Sequence, residues 1–579
     1  MQKSFQKATI ITINHFEMKL YKLSLTAAAL AFAVAVNAQS TFKSSLPVKP
    51  GKGVTVAGTV ECDGKPVAGV TVSDGYEVTK TDKKGAYYLK SKKQNPQVFI
   101  TTPSGYEAVR EDVMPQFWAD FTMPADKYER LDFCLKKTDN KRHAVIFLAD
   151  IHLANERNDV DIFSGPYVDR IKEEVSKLKA AGIPAYTINL GDGSWDLYWY
   201  AHQYSINDLR GTLNEADYPT AFFNVMGNHD NDGATPAGEG ADFRASLPYQ
   251  KTFGPRYYSH NIGDVHYVFL DNIDYINATL ENPSYPGITG RRNYKENFTQ
   301  EQLDWLRKDL AGVSYDTPVV VSMHCPLLRW KKNDGSAYRL KPEETSSREL
   351  LSILKPYKNV HTFSGHSHRQ CIVRMPEEEQ NLADHNISGA CGSWWRTRAT
   401  ALKNLCPDGT PAGYELFTVD GSDLKWEHKA FEYPEDRQFY AWDMNGVKDY
   451  FANNREMRAF LKNYPKWTDY SDVPENYIYV NLWAWDPEGT LKITENGKEL
   501  PVEIVTEENP LYTVSYMVRN TIWLNQVENK GYQKPRKFQL FRAKASTPDA
   551  PVDISWTDFF GNETKSTLDR PAPFTLEAL

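Results

Sequence analysis

The order of apolar and polar positions divides the chain into stretches of different period. From 50 to 138, short β-forming runs alternate with polar positions. Asp-Gly, Gly-Lys-Pro and Lys-Lys-Gly turns break them, as in VTVAGTVECDGKPVAGVTVSDGYEVTKTDKKGAYYL. That spacing predicts a small β-sandwich. From 139 to 431 the runs become wholly apolar and alternate with amphipathic stretches. Residues 144–149, 185–190, 221–225, 319–323 and 360–363 read as strands, and 257–270 as two strands meeting at Gly263-Asp264. Helical spacing appears at 167–181, 299–310 and 346–354, with a capping box expected from Thr299 and Gln302. Apolar strands between helices predict an α/β domain whose sheets are buried on both faces. Residues 432–476 are rich in charge, aromatics and Asn, with one helix expected at 454–462. From Tyr477 the β-like pattern and its turns return, so 432–579 reads as a C-terminal β-rich module.

A length of 579 residues exceeds what one core serves, in keeping with several domains. The start has another character. Lys19 and Lys22 precede an apolar run at 23–36 and a small-residue site ending at Ala38. Residues 1–38 therefore read as a signal peptide, with Met18 as an alternative start. The apolar run is short for a bilayer span, and no Cys stands at the cleavage point. The expected location is periplasmic or secreted, with no transmembrane span after signal removal. A net charge of −8 argues against a nucleic-acid partner. Six cysteines, Cys62, Cys134, Cys325, Cys371, Cys391 and Cys406, form neither a CxxC pair nor a zinc-finger spacing.

The chemistry-bearing residues of the middle stretch each follow an apolar run. LADIHL carries Asp150 and His152; NLGDGSWD carries Asp192 and Asp196; VMGNHDN carries Asn228, His229 and Asp230; VVVSMHCP carries His324; FSGHSH carries His366 and His368. Any one of them alone reads as a polar loop. Together they fall where sites of open α/β sheets gather, beyond the carboxyl ends of strands, and are expected to converge. Strand alternation would turn Asp150 and His152 to one side and Ile151 into the core. Imidazoles with carboxylate and amide oxygens suit Zn, Mn, Fe, Co or Ni better than calcium. Asp192, central in the order and on its own turn, is the natural bridge between two divalent metal ions. His143, His260, His266, His361 and His385 sit on or beside strands and read as core histidines; Cys325 reads as a buried thiol.

The ordered set Asp-x-His, Gly-Asp, Gly-Asn-His-Asp, His, Gly-His-x-His resembles the calcineurin-like metallophosphoesterase superfamily over residues 143 to about 430. The flanking stretches resemble the N- and C-terminal modules of an exported bacterial branch. The resemblance implies a central two-sheet αββα sandwich between two small β-sandwich domains. It implies that Asp150, His152 and His368 hold a first metal, that Asn228, His324 and His366 hold a second, and that Asp192 bridges them. It makes His229 a proton donor or charge stabiliser at the leaving oxygen, oriented by Asp196. That acid lies one position later than in the protein phosphatases, where Trp195 stands here, and Asp230 replaces their Glu. The position of Asp196 is as in the cyclic-nucleotide and glycerophosphodiester branches, and both departures point away from a protein phosphatase.

For a small phosphate-ester substrate, Arg396 offers a bidentate donor, Trp394 a stacking face, and Asn293 a polar contact from a rim loop. Trp395 and Arg398 share the first of these segments, and Tyr294 the second. The expected function is hydrolysis of phosphodiester or phosphomonoester bonds through a metal-bridging hydroxide. The alternative is an envelope- or glycan-binding protein whose central domain binds metal without turnover.

Overall fold

A computed structural model describes residues 42–576, except 284, 333–336, 398–402, 422 and 519–533. The signal peptide expected at 1–38 and Arg398 lie outside the described residues.

The middle of the chain forms two sheets. The strands are β1 (Arg142–Leu148), β2 (Ala185–Asn189), β3 (Ala221–Asn224), β4 (Tyr258–Ile262), β5 (Val265–Phe269), β6 (Val319–Ser322), β7 (Val360–Ser364), β8 (Cys371–Arg374), β9 (Leu382–Asn386), β10 (Gly413–Asp420) and β11 (Asp423–Ala430). The first sheet runs β3-β2-β1-β10-β11 and the second β4-β5-β6-β7-β9-β8. The parallel core of the first is β1, β2 and β3, with Val145 opposite Tyr186 and Tyr186 opposite Ala221. In the second, β5, β6, β7 and β9 are parallel, so both sheets send several strand ends the same way.

Side chains of β1 alternate between two apolar clusters, which explains its unbroken apolar run. Ala144, Ile146 and Leu148 pack with Val168 and Ile171 of helix α1 (Val168–Ala180), Leu209 of α2 (Ile206–Glu215) and Tyr249 of α3 (Ala241–Phe253). Val145 and Phe147 face the second sheet, whose cluster continues into Leu306 of α4 (Gln300–Leu310) and Leu350 of α5 (Glu344–Leu354). The layers are helix, sheet, sheet, helix. Phe147 and Phe363 stack across the sheets with centroids 3.9 Å apart, both fully buried. Phe147→Ala is expected to cost about 3–5 kcal/mol in urea unfolding. A loss under about 1 kcal/mol would mean the sheets close over the gap.

Each flanking module contains two sheets. In the N-terminal one, Val56–Cys62 pairs in parallel with Phe133–Lys137, and a four-stranded sheet contains Gln97–Thr101. Thr101 and Ser259 hydroxyls meet at 2.9 Å, joining this sheet to β4. The C-terminal module has two four-stranded sheets, and Arg374 of β8 binds its Asp486 at 2.7 Å.

Three local expectations change. The helix expected at 167–181 is preceded by helical turns at Asp159–Ile162 and Phe163–Tyr167, because Gly165-Pro166 sit in a wide π turn instead of stopping the chain. Thr299 caps α4 through Gln302 N–H, but the Gln302 side chain reaches Asp271 instead of completing the box. The C-terminal sheet begins at Phe439–Asp443, ahead of Tyr477, and two helices follow, Met444–Asn453 and Arg455–Asn463, where one was expected.

Candidate metal centre

Beyond Leu148 the chain leaves the sheet, so alternation does not set the directions of Asp150 and His152. Both adopt left-handed backbone, with φ of 51° and 48°, as do Asp192 (53°), His366 (67°) and His368 (49°). Ile151 between the first two is nevertheless buried in the α1-side core, as expected. Left-handed backbone at a non-glycine residue costs about 1–3 kcal/mol and persists where the surroundings over-determine it. Asp150 N–H donates to Gly191 (3.1 Å) and His152 N–H to Asp192 (2.9 Å), lacing the β1 and β2 ends together. The glycines of the motifs make room. A Cβ on Gly227 would stand 2.2 Å from Asp192 Oδ1, and one on Gly365 2.5 Å from Asp150 Oδ2.

Seven side chains from five strand ends converge. In one half, His152 Nε2 lies 3.1 Å from His368 Nε2, and Asp150 Oδ1 lies 3.8 and 3.5 Å from these two nitrogens. In the other, Asn228 Oδ1 lies 3.0 Å from both His324 Nε2 and His366 Nδ1, themselves 3.2 Å apart. Asp192 Oδ2 belongs to both halves, 3.6 Å from His152 Nε2 and 3.2 Å from His324 Nε2. Its Oδ1 accepts the His229 N–H at 2.7 Å. Asp230 anchors the turn: its carboxylate accepts N–H groups of Asp192 (2.8 Å), Gly227 (2.9 Å) and Ser194 (3.2 Å).

This donor set fits cations. His368 Nδ1 donates to the Gly392 carbonyl (2.7 Å) and His324 Nδ1 to that of Leu190 (2.8 Å), so each ring turns its Nε2 inward. Asp150 Oδ1 is buried and has no hydrogen-bond partner among the described residues. Burial holds His152 and His366 well below the ordinary imidazole range and His368 at about 4, which keeps them neutral and able to ligate. Burial pushes the Asp150 carboxyl up. Burial opposes the charge on His324 as well, but the adjacent Asp192 wins and raises it. Inward lone pairs and carboxylate oxygens without enough protons between them are what divalent ions neutralise.

Beside the cluster, His229 Nδ1 donates to Asp196 Oδ1 at 2.7 Å. Burial disfavours the imidazolium, Asp192 and Asp196 favour it more strongly, and the pKa is raised. Arg292 Nη1 donates to the same Asp196 oxygen at 2.7 Å, within 3.3 Å of His229 Nδ1. Tyr294 Oη stands 3.4 Å from His366 Nε2. Asn293, expected to reach substrate, instead accepts the Ala278 N–H at 2.7 Å and ties the loop together. Its neighbours Arg292, in left-handed backbone (φ 53°), and Tyr294, the first residue of the strand Tyr294–Glu296, are the ones that reach Asp196 and His366. Trp394 lies with its ring 4.5 Å from that of His368, while Trp395 is buried and donates to the Ile151 carbonyl at 2.9 Å. Arg396 is half-buried, and its charge acts on Tyr198, which packs with Trp195 and Trp394.

Cys325 is buried close to His366 and Glu296. The five histidines read as core residues are buried: His143 bonds Tyr267 (2.7 Å), His266 bonds Asp309 (3.0 Å), His361 meets His385 (3.0 Å), and His260 meets Thr102 (3.1 Å).

The two-sheet fold with a cation-binding cluster at its strand ends defines a metal-dependent phosphoric ester hydrolase. Family models place it more closely. Calcineurin-like phosphoesterase matches residues 143–370, the N terminal of Calcineurin-like phosphoesterase matches 54–138, and the C terminal of Calcineurin-like phosphoesterase matches 384–563. The chain belongs to the calcineurin-like phosphoesterases. Among solved structures it is similar to a dimetal phosphatase from Danio rerio, at 12% identity and a TM-score of 0.30, covering 50% of this chain and 96% of that one. A purple acid phosphatase from yellow lupin (Lupinus luteus) seeds matches at 12% identity and a TM-score of 0.34, over 63% of this chain and 67% of that one. A 5'-nucleotidase from Candida albicans matches at 8% identity and a TM-score of 0.28, over 50% and 52%. No curated protein matches in sequence. Among the described residues no helix is long and apolar enough to cross a membrane.

Proposed function

We propose that the protein is an exported phosphoesterase that works with two divalent ions, of the Zn, Mn, Fe, Co or Ni kind, on a small phosphodiester or phosphomonoester. One observation carries the reading: a single oxygen, Asp192 Oδ2, is shared between the His152 and His324 halves of the cluster. Asp150, His152 and His368 would hold one ion, Asn228, His324 and His366 the other, and Asp192 would be shared between them. When bound, the ions supply positive charge for the phosphoryl oxygens and acidify the attacking water. The chain supplies the rest. His229, held by Asp196, gives a proton to the departing oxygen, and its own position is set by the N–H bond to Asp192. Trp394 offers a ring face beside His368, and Arg396 a cation on the same turn. The catalytic domain spans 139–431, between modules at 50–138 and 432–579. The Gly-Asn-His-Asp segment favours diesters slightly, and the apolar start of the chain supports export to the periplasm or beyond.

Metal analysis of the purified protein, followed by turnover of bis-p-nitrophenyl and p-nitrophenyl phosphate, tests this. Two ions per chain with hydrolysis of at least one ester is the expected result. A fully loaded protein inert toward both esters and toward a broad phosphate-ester panel would leave a metal-binding scaffold instead.

A further inference from the structure

The chain as a whole is acidic, with a net charge of −8, yet cations gather beside the second half of the metal centre. Arg329 lies on the short strand Leu328–Trp330, directly opposite Arg339 of Tyr338–Leu340. Arg369 immediately follows His368. The charges of Arg329 and Lys341 act on His366, and that of Arg536 acts on His368. Arg329 and Arg369 are close enough to repel one another, and both flank Cys371.

Among the described residues, Glu296 and Asp384 act on Arg329 and Asp408 acts on Arg369 only through space, and each of these carboxylates takes its hydrogen bonds from other groups. Glu296 is paired with Lys341. Asp408 accepts the N–H groups of Gln370 and Thr410, each at 3.0 Å. Asp384 accepts the Leu328 N–H at 2.8 Å and the Thr362 hydroxyl. Among the described residues neither Arg329 nor Arg369 makes a side-chain hydrogen bond or an ion pair, and the Nε of each is buried without a partner. The Arg369 guanidinium is not loose, because it stands 5.2 Å over the Phe538 ring. Like charges facing one another across a ribbon, with buried donors left unmet, are destabilising unless a ligand brings the counter-charge. Two guanidiniums present planar forks suited to a tetrahedral dianion.

We propose that Arg329 and Arg369 bind a second phosphoryl group of the substrate, so that the preferred substrate carries two anionic groups, one at the metal centre and one at this arginine pair. The inference rests on the phosphoesterase reading and adds the substrate class to it. Arg329 and Arg369 are half-buried residues with buried Nε atoms, and Arg369 directly follows His368 of the cluster.

The test uses the metal-loaded full chain and whichever nitrophenyl ester it hydrolyses. Short alkanediol bisphosphates of increasing length are compared with the matching monophosphates as competitive inhibitors. For the best length, the bisphosphate Ki is expected to be lower by about tenfold or more. In Arg329→Gln and Arg369→Gln that ratio falls toward one, whereas Arg→Lys variants keep part of it. The monophosphate is the internal reference, since general damage to the site raises both Ki values and leaves the ratio alone. Equal Ki values at every length in the natural protein would overturn the proposal, as would a ratio unchanged in both Gln variants. Those outcomes leave the phosphoesterase reading standing. Failure to hydrolyse any ester would overturn both.

Discussion

Asp192→Asn is expected to lower turnover on the order of 10³-fold while the flanking modules stay folded. The substitution changes almost no volume, so its effect isolates charge and donor character. Asp192 Oδ2 is the one carboxylate oxygen near imidazoles of both halves, at 3.6 and 3.2 Å. An amide that keeps its oxygen toward the His229 N–H, now at 2.7 Å, must turn its NH2 toward His324. A donor then faces the space where a cation should be shared. Metal content should drop below two ions per chain, with the urea midpoint of the C-terminal module unchanged. Natural turnover with a full metal complement in this variant would refute the bridging assignment. Because Asp230 braces the Asp192 turn from beneath, the variant's backbone has no reason to move.

What was legible in the chain, and what was not, follows from how each residue reaches its place. The clustered Asp, Asn and His residues stand two to four positions beyond their strands, and parallel pairing of β1, β2 and β3 and of β5, β6, β7 and β9 brings those ends to one edge. Apolar runs are readable because burial on both faces demands them, as the split of β1 between two cores shows. Local backbone was not readable. Asp150 and His152 mimic strand alternation, but their geometry comes from left-handed φ held by Gly191 and Asp192 carbonyls, which are distant in sequence.

Arg292 was missed for the same kind of reason. No motif surrounds it. It is brought to Asp196 by a ribbon, Ile273–Tyr275 against Tyr294–Glu296, and by buried Asn277, whose Oδ1 accepts the Arg292 N–H at 2.9 Å while its Nδ2 donates to the Thr235 carbonyl at 2.6 Å. Neither contact has a local signature. The neighbouring Asn293 looked equally polar, and what separates the two is the left-handed backbone at Arg292 (φ 53°) just ahead of the ribbon, which no sequence pattern announces.

His229→Ala should retain both ions and lose about 10²–10⁴ in rate. The reason lies in which atoms are engaged. His229 Nδ1 is occupied by Asp196, and its backbone rather than its ring contacts Asp192. The ring nonetheless stands near His152 and Asp192, close enough to have been a ligand, so metal content is the decisive measurement. Loss of an ion would make it one. If His229 instead protonates the departing oxygen, the rate loss must grow as the leaving group becomes more basic: small for p-nitrophenyl esters, large for alkyl esters. Asp196→Asn should follow the same dependence with a smaller loss, about 10–100-fold, since it removes the charge that favours the imidazolium and not the proton donor. Arg292 sharpens the expectation, because its Nη1 shares the Asp196 oxygen with His229. Removing the carboxylate frees a guanidinium and an imidazole to repel each other at 3.3 Å, so Asp196→Asn in an Arg292→Ala background should cost less than in the natural chain. Strictly additive losses in that cycle would show that Arg292 does not act through Asp196.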